Sequence, residues 1–254
     1  MNVIFMGRKS YAAELLEWTV QQGINVLAVV TDSHFANSPT KDKADKLGIP
    51  VISLEEAEKM VEDDPNKIDL VISYLFWRKI KEPLISTPKY GCINFHPAIL
   101  PDWKGTAGYN VAILNKLEEW GATAHYVNEN IDTGDIIKIY KFNFDYRHET
   151  AISLEEKTQK IQVDLYKSIV TDIKENGRLD CIQQPKEAGI YISRNEMESM
   201  KEIDLKNDDI DLKIRAFWFP PYTGAYIDID GKKYPLINEY ILRSFAKDGE
   251  TSNS

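Results

Sequence analysis

MNVIFMGRKSYAAELLEWTVQQGINVLAVV, residues Met1–Val30, carries the information that sets the fold class. Asn2–Met6 is a short apolar run stopped by Gly7, the pattern of a buried strand. YAAELLEWTVQQ follows as a helix, with Ser10 placed to cap its start and Gly23 to end it. Ile24–Val30 is a second apolar run. Strand, helix and strand in so few residues imply a parallel pair joined by a right-handed crossover.

The same alternation continues downstream. Lys41–Leu47 has the composition of a short helix ended by Gly48, and Val51–Ile52 gives a brief strand. Ser53 and Glu56 have capping-box spacing ahead of a further helix. Asp69–Phe76 and Cys92–Phe95 are two more Val/Ile-rich strands. Together these predict an α/β protein with a doubly wound, Rossmann-like, mostly parallel sheet. Tyr109–Leu117 has helical spacing, and Gly121–Asn128 and Ile136–Phe144 form strands around the turn ENIDTGD. Thr150 caps a long amphipathic helix over Ala151–Glu175, with Leu154, Ile161, Leu165, Ile169 and Ile173 on its apolar face. Residues 178–200 are loop-rich. RAFWFPPYTGAYIDIDGKKYPLINEYI, with its Asp-Gly turn, predicts a small antiparallel, β-hairpin-rich element. The expected organisation is an N-terminal domain over 1–200, the β element over 201–246 and a disordered polar tail over 247–254.

Composition narrows the function. Hydrophobic residues make up 43% of the 254, enough for a packed core. The net charge of −9 argues against a nucleic-acid or anionic-membrane partner, while leaving room for a small anion in a local basic pocket. Cys92 and Cys181 form no CxxC pair, and the four histidines, His34, His96, His125 and His148, have no metal-ligand spacing, so no metal is expected. MNVIFMGRKS lacks a signal-peptide layout and no apolar run reaches membrane length, so a cytoplasmic location is expected.

INFHPAILPDWKG, Ile93–Gly105, holds the candidate chemistry. In an open α/β sheet, ligands bind beyond the carboxyl ends of the strands, and this strand delivers Asn94 and His96 to that edge on one face. Pro97 and Pro101 stiffen the backbone that follows. An amide can donate N–H bonds to an oxyanion, and an imidazole can move a proton near neutral pH. Asp132, in the tight IDTGD turn, is the third member, able to orient or charge His96. GxSxG, GxxxxGK[ST] and GxGxxG are all missing, which leaves direct transfer at an acyl-type carbon without a covalent enzyme intermediate.

NFHPAILPDWKG followed by GATAHYVNENIDTGDII resembles the signature of the folate-dependent formyltransferase superfamily. The resemblance spans most of residues 1–180. It implies the formyltransferase fold and transfer of a formyl group from 10-formyltetrahydrofolate, a co-substrate, to an amine. The superfamily's catalytic Asn, His and Asp fall on Asn94, His96 and Asp132, and its second histidine on His125, read as a supporting or structural residue. It also implies a pterin site along Tyr126–Asp132, including Tyr126, Val127 and Ile131, and against Phe76 and Trp77. The two aromatics fit simple packing equally well.

Within the superfamily the chain most resembles the nucleotide-sugar N-formyltransferases, through KGTAGYN and IRAFWFPPYTGAY. The implied acceptor is the amine of a nucleotide-linked 3- or 4-amino-dideoxy sugar, feeding surface polysaccharide such as lipopolysaccharide O-antigen. Arg8, Lys9 and Arg78 are candidate diphosphate contacts, and Lys104 stands where arginine is commoner. Tyr109 and Asn110 are the candidate sugar contacts. Trp218, Phe219 and Tyr222 either stack on the base or form the core of the β element. A homodimer is implied by the resemblance alone. The alternative is methionyl-tRNA formylation, against which stand the chain's length, short of a full C-terminal β-barrel, and its acidity. A folate- or nucleotide-sugar-binding module without catalysis is the third possibility, opposed by the intact Asn94, His96 and Asp132.

Overall fold

The computed structural model describes residues 1–106, 108–185 and 187–243. In chain order the strands and helices are β1 (Asn2–Gly7), α1 (Lys9–Gln21), β2 (Asn25–Val30), α2 (Pro39–Lys46), α3 (Leu54–Asp63), β3 (Leu70–Tyr74) and β4 (Cys92–His96). Then come β5 (Trp103–Gly105), α4 (Gly108–Leu114), β6 (Glu119–Tyr126), β7 (Ile136–Asn143) and α5 (Ala151–Asn176). The chain finishes with β8 (Ile190–Ile192), α6 (Arg194–Ser199), α7 (Ile210–Ala216), β9 (Tyr226–Ile229) and β10 (Lys232–Pro235). The tail over 247–254 lies outside the described residues. Among those residues no helix is long and apolar enough to cross a membrane.

Six strands form the main sheet, in the order β2-β1-β3-β4-β6-β7. β1, β2, β3 and β4 pair in parallel, and β6 runs antiparallel to β4. Successive side chains alternate between the two faces. Phe5, Ile72, Tyr74, Ile93 and Phe95 pack with Leu15 and Leu16 of α1 and with Leu165, Tyr166 and Ile169 of α5. Ile4, Met6, Val71 and Cys92 pack with Leu54, Ala57 and Val61 of α3. Apolar residues therefore fill both faces, as the unbroken Val/Ile runs predicted. Cys92 is one of these packed residues, and burial pushes its thiol pKa up.

Two local expectations are corrected. The first concerns α1, which starts at Lys9 and has Arg8 as N-cap, with no side-chain cap from Ser10. The turn out of β1 is too tight for a longer lead-in: a Cβ on Gly7 would lie 3.0 Å from that of Ala12 and 3.1 Å from the Tyr74 carbonyl oxygen. The second concerns the C-terminal aromatic segment, whose start is helical. Asp209 accepts from the Leu212 backbone N–H and caps α7, and Phe217 closes that helix as a buried side chain. The hairpin is confined to β9 and β10, with Ile229 opposite Lys232 across the Asp230–Gly231 turn.

The chain divides into two compact units, each discontinuous in sequence. Met1–Lys104, Gly121–Lys141 and Gln159–Ile190 form the first, and Gly105–Trp120, Phe142–Thr158 and the segment from Tyr191 onward form the second. In the second, Asn110 Nδ2 donates to the Ala216 carbonyl at 2.7 Å, tying α4 to α7. Arg215, 8% exposed, donates Nη1 to the carbonyls of Tyr146 and Glu149.

Candidate active site

The first unit brings Asn94, His96 and Asp132 together. Strand register does most of this work: Ser73 of β3 lies opposite Asn94 of β4, which lies opposite His125 of β6. These three side chains form a row of hydrogen bonds across the sheet. Ser73 Oγ donates to Asn94 Oδ1 at 2.7 Å, and Asn94 Nδ2 meets His125 Nε2 at 3.1 Å. His125 Nδ1 lies 2.8 Å from the Tyr126 carbonyl. A carbonyl only accepts, so Nδ1 carries the proton and Nε2 presents a lone pair to the Asn94 amide. Oδ1 of Asn94 therefore faces Ser73. Its second N–H has no partner among the described residues and lies on a half-buried side chain.

The same logic assigns His96. Its Nε2 lies 2.9 Å from the Trp103 carbonyl and must donate, leaving Nδ1 as the acceptor. Nδ1 faces Asp132 Oδ1 at 3.5 Å, and His125 Nε2 lies 3.7 Å from the same oxygen. These separations exceed a made hydrogen bond. Burial holds the His96 pKa below its ordinary value; Asp132 opposes that shift in part, and His125 adds to it. His96 is thus a neutral base near pH 7, and protonation at Nδ1 would convert its contact with Asp132 into an ion pair. The loop after it is anchored by Thr123, opposite His96 in the register, whose hydroxyl donates to the Ala98 carbonyl at 2.7 Å and accepts from the Leu100 N–H at 3.0 Å.

Asp132 owes its position to an over-determined turn. Its φ is +56°, in the left-handed region that Asp tolerates better than most residues. Asn128 Oδ1 accepts from the Asn130 N–H at 2.9 Å and from the Thr133 hydroxyl at 2.8 Å. Tyr126 N–H donates to the Asp135 carbonyl at 2.9 Å and closes the loop. Gly134 passes so close to Tyr126 that a Cβ would lie 1.8 Å from the Tyr126 carbonyl oxygen.

Gln184 completes the turn: its buried Nε2 donates to the carbonyls of Asp132 at 3.1 Å and Gly134 at 2.6 Å. Sequence reasoning missed this residue, which sits in a stretch that reads only as loop. Gln184→Leu should destabilise the protein by about 1–3 kcal/mol, since it strands polar groups in the interior. Chemical denaturation measures this directly; an unchanged midpoint would remove Gln184 from this role.

The remaining candidates divide between the two units. Phe76 and Val127 are partly buried against the same apolar cluster on the α3 face, Tyr126 is buried among the residues on the other face, and Ile131 is 47% exposed. Arg8 Nε donates to the Leu75 carbonyl at 3.0 Å, and its guanidinium lies 5.7 Å from the centre of the Trp77 ring. Trp77, 40% exposed, also faces Phe76 at 4.9 Å and His34 at 6.1 Å, centroid to centroid. The Lys9 carbonyl accepts from the Thr40 hydroxyl at 3.1 Å. Arg78 pairs with Glu55 at 2.7 Å on an exposed surface. Lys104, 8% exposed, donates Nζ to the Ala188 carbonyl at 2.6 Å.

In the second unit Tyr109 and Asn110 lie on α4, with the Asn110 amide held as described. Trp218 and Phe219 are half-buried, and Tyr222 is 61% exposed with its ring 6.0 Å from that of Phe219. Phe217, unlike these three, is buried. Among the described residues no group of His, Cys, Asp or Glu side chains could hold a metal ion.

A half-buried amide with an unused N–H, a neutral imidazole and a carboxylate aimed at it suit acyl transfer without a metal. The model of the formyl transferase family matches residues 1–170, which include all three.

The chain belongs to the formyl transferase family.

That family membership agrees with the motif resemblance. The chain is 28% identical to the methionyl-tRNA formyltransferase of Lachnospira eligens over 243 residues, 91% of this chain and 76% of that protein. It is similar in structure to the N-formyltransferase from Helicobacter canadensis, solved with folinic acid and dTDP-3-aminofucose. There the TM-score is 0.73 at 26% identity, covering 91% of this chain and 85% of the other. A 4-N formyltransferase from Francisella tularensis gives a TM-score of 0.73 at 26% identity, covering 93% and 97%.

Proposed function

We propose that the protein transfers a formyl group from 10-formyltetrahydrofolate to the amine of a nucleotide-linked amino-dideoxy sugar. The observation that carries the formyl-transfer step is the unused Asn94 N–H beside a neutral His96 backed by Asp132. The formyl donor supplies an activated amide carbon. Its needs fit this chain: an N–H for the oxygen, a base for the proton, and an apolar wall from Phe76 and Val127 for a flat ring. When the amine attacks, Asn94 donates to the oxyanion. His96 Nδ1 takes the proton that the amine sheds, Asp132 stabilises the imidazolium, and His96 then returns the proton to the departing nitrogen.

Support for a sugar acceptor comes from likeness to the Helicobacter canadensis N-formyltransferase, whose structure holds folinic acid and dTDP-3-aminofucose. The net charge of −9 also suits a small substrate better than tRNA. Arg8, held through Nε to the Leu75 carbonyl, is the cation proposed to meet a diphosphate. Lys9 follows β1 as Arg8 does, and Arg78 follows β3.

Ligand binding raises the melting temperature by mass action. In a thermal-shift series with dTDP, UDP, GDP, CDP and uncharged tRNA, one nucleoside diphosphate should raise Tm, and folinic acid should enlarge the shift. A shift with tRNA alone would replace the sugar acceptor by methionyl-tRNA. No response to folinic acid would refute the donor.

A further inference from the structure

We propose that Ser73 is a positioning residue for formyl transfer, acting through the orientation of the Asn94 amide; this rests on the catalytic assignment of Asn94 above. An asparagine amide has two ends of nearly equal size and opposite hydrogen-bonding character. Turned by 180° about its last bond, Asn94 would present a carbonyl oxygen to a developing oxyanion and repel it. Two contacts decide the orientation. His125 offers Nε2 as an acceptor, because its Nδ1 proton is committed to the Tyr126 carbonyl. Ser73 offers a hydroxyl proton to Oδ1 at 2.7 Å from the opposite side. The amide is clamped between an acceptor and a donor, and its remaining N–H has one direction available.

The clamp is a product of strand register. Ser73, Asn94 and His125 are consecutive partners across β3, β4 and β6, with side chains on one face. Ser73 is 3% exposed in a strand otherwise made of Leu70, Val71, Ile72 and Tyr74. A hydroxyl there gains nothing from burial itself and needs a partner, which Asn94 supplies. With the hydroxyl removed, His125 alone among the described residues opposes rotation of the amide. The inverted orientation then becomes populated in the ground state, and the oxyanion donor is lost in those molecules.

The test compares steady-state kinetics of wild type, Ser73→Ala, Ser73→Cys, Asn94→Ala and the Ser73→Ala/Asn94→Ala double variant. Melting temperatures show which variants are folded. Ser73→Ala should lower kcat about tenfold, with KM for both substrates within about twofold, as expected of geometry lost in the transition state. Ser73→Cys, close in size but a poor donor, should behave like alanine. In the Asn94→Ala background the Ser73 change should cost nothing further. A residue that only supports the sheet would lower activity by the same factor in both backgrounds, and that outcome overturns the inference. So does full kcat in Ser73→Ala or Ser73→Cys while Asn94→Ala is impaired. Full activity of Asn94→Ala would instead overturn the catalytic assignment on which the inference rests.

Discussion

His96→Ala should lower kcat/KM for formyl transfer by about 100- to 10,000-fold, the usual contribution of a positioned acid–base group. The change removes the imidazole nitrogen whose lone pair faces the Asp132 carboxylate at 3.5 Å; His125 Nε2 lies near the same oxygen but accepts from the Asn94 amide. The pH profile gives a second readout. Burial lowers the His96 pKa from 6.5, so the base stays neutral and competent to more acidic pH than an ordinary histidine. The acid limb of kcat/KM in the wild type should therefore fall below pH 6.5. Stability follows the same group. As pH drops below about 6.5 the unfolded chain takes a proton that the folded state resists, so stability is lost on the way down to the folded pKa and is fully present above 6.5. That part of the Tm-versus-pH slope should disappear in His96→Ala. Retained turnover in the variant, with the fold intact, would mean that another group moves the proton.

Gly134→Ala is expected to damage both stability and turnover. A Cβ placed 1.8 Å from the Tyr126 carbonyl oxygen cannot be accommodated by a side-chain rotation, because the obstacle is backbone in the last residue of β6. The turn must open, at a cost of at least about 3 kcal/mol. Opening it displaces Asp132, whose carbonyl and that of Gly134 share the Gln184 amide. A displacement of about 1 Å is enough to lower turnover about 100-fold. Gly231→Ala is the control. Gly231 has φ +79° in the exposed β9–β10 hairpin, with open space around it, so alanine there should cost about 1 kcal/mol and leave turnover alone. Equal effects of the two substitutions on kcat would mean that the Asp132 turn is not part of the chemistry.

The doubly wound sheet was legible from the chain because its cause is local and repeated. Apolar runs such as Asn2–Met6 and Ile24–Val30 can only be satisfied by a strand covered on both faces, and the helices between them force parallel pairing. Asn94, His96 and Asp132 stood out for a related reason: each lies at a strand end or in a Gly-containing turn, marked by proline or glycine that the local backbone requires. The Asp209 cap, a local cue, draws Arg215 and Ala216 of the aromatic segment into a helix. The Ser10 cap failed because a neighbour distant in sequence, the Tyr74 backbone, crowds the exit from β1.

The supporting cast of the site was hidden for the same reason. Ser73, Thr123 and Gln184 lie 21, 27 and 52 residues from their partners Asn94, His96 and Asp132; Ser73 and Gln184 carry no motif, and Thr123 falls in the family signature without its role being legible there. Their roles exist only once the strand register is set, because a hydrogen bond needs its two atoms within about 3 Å and correctly aligned. Sequence periodicity specifies which face a side chain occupies. It does not specify which residue of the next strand lies opposite, and that pairing turns a serine in an apolar strand into one end of a clamp on Asn94.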